Sequence, residues 1–360
     1  MPYSGPVSAY GIGGRVELAY FKMINEQGGV NGRKINLISL DDGYSPPKTV
    51  EQVRRLVEEE QVAFLFQCLG TPTNLAIREY CNDNEIPQLL CASGSSKLDD
   101  PENFPWTTTV NQIYKNEARV YAKYILKEKP SAKIAVLYQN DDFGKDYLTG
   151  LKDGLGHERA GMIVKEASYE VSDPTVHSQV TTLQGSGADI FLIAATSKFA
   201  AQAILKSYDL GWSATRILSG VSVSVTAVLK PVGLQKATGT LSIQTNKDPN
   251  DPHWKDDPGM KGWEAFTDER MTHSAFVDQN AVYGYTNAMT LVHILKQCGD
   301  DLSRNNILRA ATTLDGLELP TLLPGIRLAI KPGSYSAIHQ MNLAQFNGVS
   351  WQLFGDLIET

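Results

Sequence analysis

Two α/β lobes in tandem, each built on a parallel sheet, are the fold the sequence predicts. Three observations carry this expectation. The chain has 360 residues, more than one hydrophobic core usually serves. From residue 34 onward short apolar runs alternate with amphipathic stretches. Strands linked by single crossover helices leave that pattern, and such crossovers make a parallel sheet. The rhythm then restarts after Thr107–Gln112 and builds a second unit of similar size.

The elements follow in order. Gly11-Ile12-Gly13-Gly14 opens a helix over Val16–Asn25, which ends at Gly28-Gly29. Ile35–Leu40 reads as a strand, residues 41–47 as a turn, and Val50, Val53, Leu56 and Val57 as one apolar helix face. Val62–Gln67 is a strand, Asn74–Asn84 a helix and Pro87–Cys91 a strand. In the second unit Asn116–Lys129 is helical and stops before Pro130. Lys133–Tyr138 is a strand, Gly144–Leu155 a helix, Met162–Tyr169 a strand, and a helix near Thr175–Gly185 leads to strand Ile190–Ala194. Lys198–Leu210 is a helix stopped by Gly211, and Arg216–Ser219 is a strand. Asn246–Pro258, rich in Asp, Pro and Lys, is a loop. Helices return at Trp263–Met271, Asp278–Cys298 and Asp300–Thr313, the last capped by Ser303. His339–Phe346 and Ser350–Leu357 flank Asn347-Gly348 as a β-hairpin.

Composition excludes several classes. With 33 Lys and Arg against 40 Asp and Glu, the net charge is −7, so phosphate backbones repel the chain and nucleic acid is not a partner. No apolar run reaches about 18 residues, so nothing spans a bilayer. The start Met1-Pro2-Tyr3-Ser4-Gly5-Pro6 is a turn rather than a secretory signal, which fits a cytoplasmic protein or a processed or trimmed form. The six histidines are scattered and Cys68, Cys81, Cys91 and Cys298 lack C-x-x-C spacing, so no metal centre is expected. Cys68 and Cys91, each ending an apolar run, read as small buried thiols, with an oxidised Cys68–Cys91 pair as the alternative if their strands are neighbours. Gly11–Gly14 lacks the Lys of a phosphate loop and the spacing of a dinucleotide fingerprint, and no cofactor is expected. There is no G-x-S-x-G and no H-E-x-x-H. Asp41/Asp42 and Asp141/Asp142 read as caps and turn residues, so the chain is not expected to be an enzyme.

In open α/β sheets ligands bind beyond the carboxyl ends of the strands, and two such ends stand out. Phe66–Leu69 runs into Gly70-Thr71-Pro72-Thr73-Asn74 and a helix, with Thr71 as cap and Pro72 in the first turn. The free N–H groups of that turn carry partial positive charge and can seat a carboxylate. The second end, Cys91–Ser96, offers amide N–H groups and hydroxyls. The alternative is that both are ordinary strand-to-helix connections.

Ser4-Gly5-Pro6, Tyr10-Gly11, Ile24-Asn25 and Gly28-Gly29-Val30-Asn31-Gly32 closely resemble the start of the leucine/isoleucine/valine-type periplasmic binding proteins of ABC transporters. The resemblance continues through Asp41–Pro46, Gly70-Thr71, Ala92–Ser96, Asp142-Phe143-Gly144 and Phe346–Trp351, in order along nearly the whole chain. It implies a type I periplasmic-binding fold, two doubly wound lobes joined by a three-crossing hinge, with a cleft that closes on ligand. The crossings should fall near Val110–Gln112, Leu241–Thr245 and Gly325–Ile330. Lobe one is then residues 1–111 plus 245–326, and lobe two is 112–244 plus 327–360. In this family a strand precedes the Ser-Gly-Pro turn, so the chain is expected to start inside the mature protein, after a signal sequence and first strand.

By matching positions the resemblance nominates Tyr10, Gly70, Thr71, Ala92, Ser93 and Ser95 in lobe one as ligand-binding. In lobe two it nominates Phe143, Thr196 and the loop Gly220-Val221-Ser222, of which Val221 and Ser222 carry the contact. Tyr10 and Phe143 read equally as core aromatics. Amino-acid binders of the family place an acidic residue on the loop matching 220–222, and none stands there, which leaves Asp141 or Asp142 as the substitute. An unpaired buried ammonium would cost several kcal/mol, so an amine-free acid fits better, with Tyr114 or Tyr44 as further ring contacts. Gly43 stands where some members place a disulfide partner. The expected function is extracytoplasmic capture of a small organic carboxylate, aromatic or otherwise, for the membrane permease of an ABC importer. The protein is expected to be a monomer, periplasmic or lipid-anchored outside the membrane. The alternatives are a binder of branched-chain or hydrophobic amino acids and a ligand-sensing regulator of the amide or urea type.

Overall fold

The computed structural model describes residues 1–360, the side chains of residues 273 and 274 excepted. Its strands form two sheets. The first holds β1 (Leu65–Phe66), β2 (Gln88–Cys91) and β3 (Thr107–Thr109), all parallel, in that order. The second holds β4 (Ile134–Gln139), β5 (Ile163–Tyr169), β6 (Ile190–Ala194), β7 (Thr215–Leu218), β8 (Leu241–Gln244), β9 (Gln340–Phe346) and β10 (Trp351–Glu359). Its order is β10-β9-β8-β7-β6-β4-β5, parallel from β4 to β8, with the C-terminal hairpin antiparallel at the edge. Strand order reverses beside β4, which makes the ends of β4 and β6 a topological switch point.

Helices cover both sheets. Those used below are α1 (Gly11–Glu26), α2 (Pro46–Arg54), α3 (Thr71–Asp83), α4 (Tyr114–Glu128), α5 (Asp142–Leu155), α6 (His177–Gln184), α7 (Ser197–Asp209), α8 (Pro258–Arg270), α9 (Gln279–Gln297) and α10 (Arg304–Ala311). Three large cores divide the molecule. One joins Val16, Phe21, Leu89 and Val110 to Trp263, Leu291, Leu328 and Ile338. The other two lie on opposite faces of the second sheet and contain Phe191, Phe199 and Trp351, or Tyr121, Tyr147 and Met341. The first core draws on residues up to Val110 and again from Trp254 to Ile338, and the other two on residues from Tyr114 to Ile243 and from Met341 onward. All four cysteines are free thiols.

Four local expectations are corrected. Ile35–Leu40 forms no strand. A cavity of about 390 Å³ separates it from Phe64–Cys68, lined by Leu37, Val53, Phe66 and Leu295. No backbone ladder can form across that gap, so Asn25 clasps Ile35 through both its backbone groups at 2.7 Å instead. Val62–Gln67 shortens to the two strand residues Leu65 and Phe66, and Gln67 turns to φ +51° while its N–H still donates to Leu89 O at 3.1 Å. The cap of α3 is Gly70 (φ +104°), not Thr71; a Cβ at residue 70 would lie 2.2 Å from the Tyr44 ring. The hairpin loop spans 347–350 rather than Asn347-Gly348 alone, since Phe346 pairs with Trp351 and the Asn347 carboxamide accepts from Val349 and Ser350 N–H. Ser303 caps α10 as expected, accepting from Asn306 N–H at 3.4 Å.

Candidate functional site

The carboxyl ends of both sheets face one cavity of about 130 Å³ between the lobes. The first sheet presents Leu69, Gly70, Thr71 and Ala92, and the second presents Thr196 and the 220–223 loop. Rings of Tyr10, Tyr44, Tyr114, Phe143 and Tyr283 form much of its wall. Among the described residues lining it there is no Lys or Arg, and Glu17 is the one carboxylate.

The α3 start brings backbone donors to the cavity wall. Gly70 makes the positive-φ turn, and Pro72 follows in the first helical turn. The N–H groups of Thr71 and Thr73 open the helix and so have no intrahelical acceptor. Thr71 Oγ1 meets Ser93 Oγ at 2.7 Å, and both residues are buried. The second loop is less open than its composition suggests. Ala92 N–H donates to Cys68 O at 3.0 Å, Ser93 N–H to Cys91 O at 2.8 Å, and Ser95 N–H to Ser93 Oγ at 3.2 Å. Ser95 Oγ accepts from Lys97 N–H. Tight local turns use up these donors, so Ala92 reaches the cavity while Ser93 and Ser95 stand behind its wall.

In the second lobe Phe143 lies 5.1 Å from Tyr114, edge to face, and Tyr114 stacks on Tyr147 at 5.3 Å. Such pairs fix ring positions beyond their burial alone. Asp141 caps α5 through Phe143 and Gly144 N–H at 3.0 and 3.3 Å, and burial pushes its carboxyl above the usual range. Asp142 pairs with Lys97 at 2.9 Å. Neither lines the cavity. Thr196 N–H donates to Tyr169 Oη at 3.1 Å, and Tyr169 donates to Gln139 Oε1 at 2.9 Å. Ser222 Oγ is committed to Ala195 O at 2.6 Å, so Val221 lines the cavity and Ser222 does not.

Several bonds tie the lobes across this cavity. Tyr10 Oη accepts from Ser197 N–H and donates to Val221 O, both at 3.1 Å. Gln139 Nε2 reaches Tyr44 Oη at 3.4 Å. Asp146 accepts from Ser96 N–H at 2.6 Å, and Asp278 from Ser224 Oγ at 3.1 Å. Burial raises the Tyr10 hydroxyl pKa; burial and the Asp141 charge raise that of Tyr44. Both stay neutral donors at physiological pH.

The family model described as periplasmic binding protein matches residues 1–350. This chain belongs to that family. Among its relatives is Leu/Ile/Val-binding protein homolog 3 of Brucella melitensis, 23% identical over 264 residues, which cover 71% of this chain and 68% of that protein. A branched chain amino acid ABC transporter protein from Thermus thermophilus with bound valine superposes with a TM-score of 0.88 at 17% identity, covering 100% and 94% of the two chains. An ABC transporter solute binding protein from R. palustris in complex with benzoate gives 0.81 at 18%, covering 100% and 96%. At such identities the superpositions speak to fold, and they agree with the two-lobed α/β architecture. No described helix of this periplasmic binding protein is long and apolar enough to cross a membrane.

Sequence reasoning missed Glu17, Gln67, Gln244, Asn280 and Tyr283, which also line the cavity. Glu17 had a readable signal. It falls between Gly13 and Phe21 at helical spacing, a carboxylate on the buried face of α1. Glu117 was missed too. It is buried on α4 and accepts from Gly220 N–H at 2.8 Å, Tyr121 Oη at 2.7 Å and Gln112 Nε2 at 3.1 Å, which holds the 220–222 loop in place.

Proposed function

We propose that this periplasmic binding protein captures a small amine-free carboxylate, aromatic or otherwise, in the interlobe cavity and delivers it to the permease of an ABC importer. The observation that carries the reading is the cavity's chemistry. It combines N–H groups at the α3 start with five aromatic rings and no cationic side chain, a surface that receives an anion on helix-terminal donors and a ring on apolar walls. The ligand role falls to Tyr10, Gly70, Thr71, Ala92, Phe143, Thr196 and Val221 directly, with Ser93, Ser95 and Ser222 holding them. An α-ammonium beside the 220–222 loop would meet Val221 and a committed Ser222 hydroxyl, while Asp141 and Asp142 are engaged elsewhere.

Calorimetric titration with benzoate, benzamide and valine tests this. Benzoate is expected to bind, and benzamide to bind at least about tenfold more weakly, since a hydrogen bond to a charged acceptor is worth about 1.5–3 kcal/mol. Tighter binding of valine would favour the amino-acid reading that the names of the Brucella and Thermus relatives suggest.

A further inference from the structure

Two of the four cysteines stand opposite each other at the root of the cavity wall. β1 and β2 pair in parallel with Leu65 facing Gln88 and Phe66 facing Leu89, and the isolated bridge Leu69–Ala92 continues the same offset. Cys68 therefore faces Cys91. The backbone holds this register on both sides of the pair. Gln67 N–H donates to Leu89 O at 3.1 Å, Ala92 N–H to Cys68 O at 3.0 Å and Gly70 N–H to Ala92 O at 3.2 Å. Neighbouring strands lie about 4.7–4.9 Å apart, inside the Cα separation of about 4.4–6.8 Å that a disulfide spans. Partners in register carry their side chains to one face of a sheet. Cys68 packs against the cluster of Leu65, Ile77, Cys81 and Ile86, of which Ile77 and Cys81 belong to α3. Burial raises the Cys91 thiol well above its ordinary pKa, the Cys68 and Cys81 thiols raise it further, and Arg78 of α3 opposes them, as expected of a thiol on that same face.

We infer that Cys68 and Cys91 close a structural disulfide when the chain folds in an oxidising compartment. The family is one of periplasmic binding proteins, and the periplasm is a place where disulfides form and persist. In the step each thiol gives up its proton and the Cys68 Sγ–Cys91 Sγ bond forms. A disulfide oxidant takes the two electrons and two protons and is split into its own two thiols. Cys81 sits on α3 and Cys298 lies in a different core, so neither has a partner in register. The position of the bond gives it a role. Cys68 directly precedes Leu69-Gly70-Thr71 and Cys91 directly precedes Ala92, all of which line the cavity. The bond adds a covalent tie beside the 2.7 Å contact of Thr71 Oγ1 with Ser93 Oγ. It also brackets α3, and closing a loop of this kind restricts the unfolded chain. Burial pushes the Cys68 thiol up to about 11, and thiols of high pKa leave slowly, so the bond once closed resists reopening. None of this depends on which ligand the cavity takes.

The test refolds the full, reduced chain in a glutathione mixture at an oxidising disulfide-to-thiol ratio, with refolding in excess dithiothreitol as the reference. Thiol titration in guanidinium is expected to find all four thiols in the reference and two fewer after oxidative refolding, with an intact mass lower by two hydrogens. Peptide mapping without reductant is expected to show residues 68 and 91 linked. The oxidised protein should melt several degrees above the reduced one, whereas Cys68→Ala should melt alike in both buffers. Should the chain refold in neither buffer, native protein is oxidised directly with the same mixture, Cys68 being reached through the second cavity that it lines, and the same thiol count applies. Four free thiols after oxidation, glutathione adducts in place of the link, or a link through Cys81 or Cys298 would each overturn the inference. So would native protein recovered only in dithiothreitol, or a linked form that melts no higher than the reduced one.

Discussion

Tyr10 Oη and the Ser197 N–H lie 3.1 Å apart although 187 positions separate them and they belong to opposite lobes. The same hydroxyl donates to Val221 O at 3.1 Å, so one phenol joins the α7 start and the 220–222 loop to the first lobe. Its donor and acceptor roles are both used, which makes it a latch between the two lobes.

Tyr10→Phe keeps the ring against the cavity and removes both bonds. Each neutral hydrogen bond contributes about 0.5–1.5 kcal/mol, so ligand affinity is expected to fall about tenfold with little change in global stability. Small-angle scattering should show a larger radius of gyration for the ligand-free variant than for ligand-free wild type. Equal radii and equal affinities would remove the latch.

Thr71→Pro takes away an N–H at the α3 start, at a position where a helical φ already prevails. The fold should persist, and carboxylate affinity should drop about ten- to a hundredfold. Thr71→Val is the control, because it loses the 2.7 Å contact with Ser93 and keeps the N–H. If the two variants bind alike, the amide is not the anion's partner.

Gly70→Ala tests why the turn before α3 is glycine. At φ +104° the added Cβ would meet the Tyr44 ring at 2.2 Å and Thr73 Oγ1 at 2.8 Å. Strain of this kind costs about 1–3 kcal/mol before the clash is added. A thermal midpoint lowered by several degrees is expected, together with lost binding as Tyr44 is displaced. An unchanged midpoint would show that the turn relaxes freely.

Most of the fold was readable because its signals are local. The β4–α5–β5 and β6–α7–β7 units were placed within a few residues, since apolar strands such as Ile190–Ala194 are buried along their whole length and Gly211 marks a helix end. The failures share a cause. Ile35–Leu40 has a strand's composition, yet a strand needs a neighbour, and its neighbour's place is a cavity. Gln67 and Tyr44 take positive φ without glycine to announce it. Of the residues that line the cavity, Gly70 and Thr71 were read from a strand end, whereas Phe143 and Thr196 came from the family resemblance. The commitment of the Ser93 and Ser95 donors was not legible, because the groups that use them, such as the Cys91 carbonyl, are chosen by the turn's path. Gln244 and Asn280 come from β8 and α9, which no sequence spacing brings together.

Glu17 should make stability depend on pH in a direction opposite to an ordinary paired carboxylate. Burial pushes its pKa up to about 8, with the Met1 ammonium opposing; in the unfolded chain it returns to about 4.5. Between those values the native state holds a proton that the unfolded state has lost. Stability therefore falls as pH rises through this window. Glu117, Asp141 and Asp248 are also raised by burial, so the isosteric Glu17→Gln variant is needed to isolate the effect. Urea melts at pH 5, 7 and 9 are expected to show the variant gaining on wild type as pH increases, by on the order of a few kcal/mol across the range. At pH 5 the two should be nearly equal, because the native carboxyl is already neutral there. Parallel pH profiles for the two proteins would mean that Glu17 is charged and satisfied in the folded state.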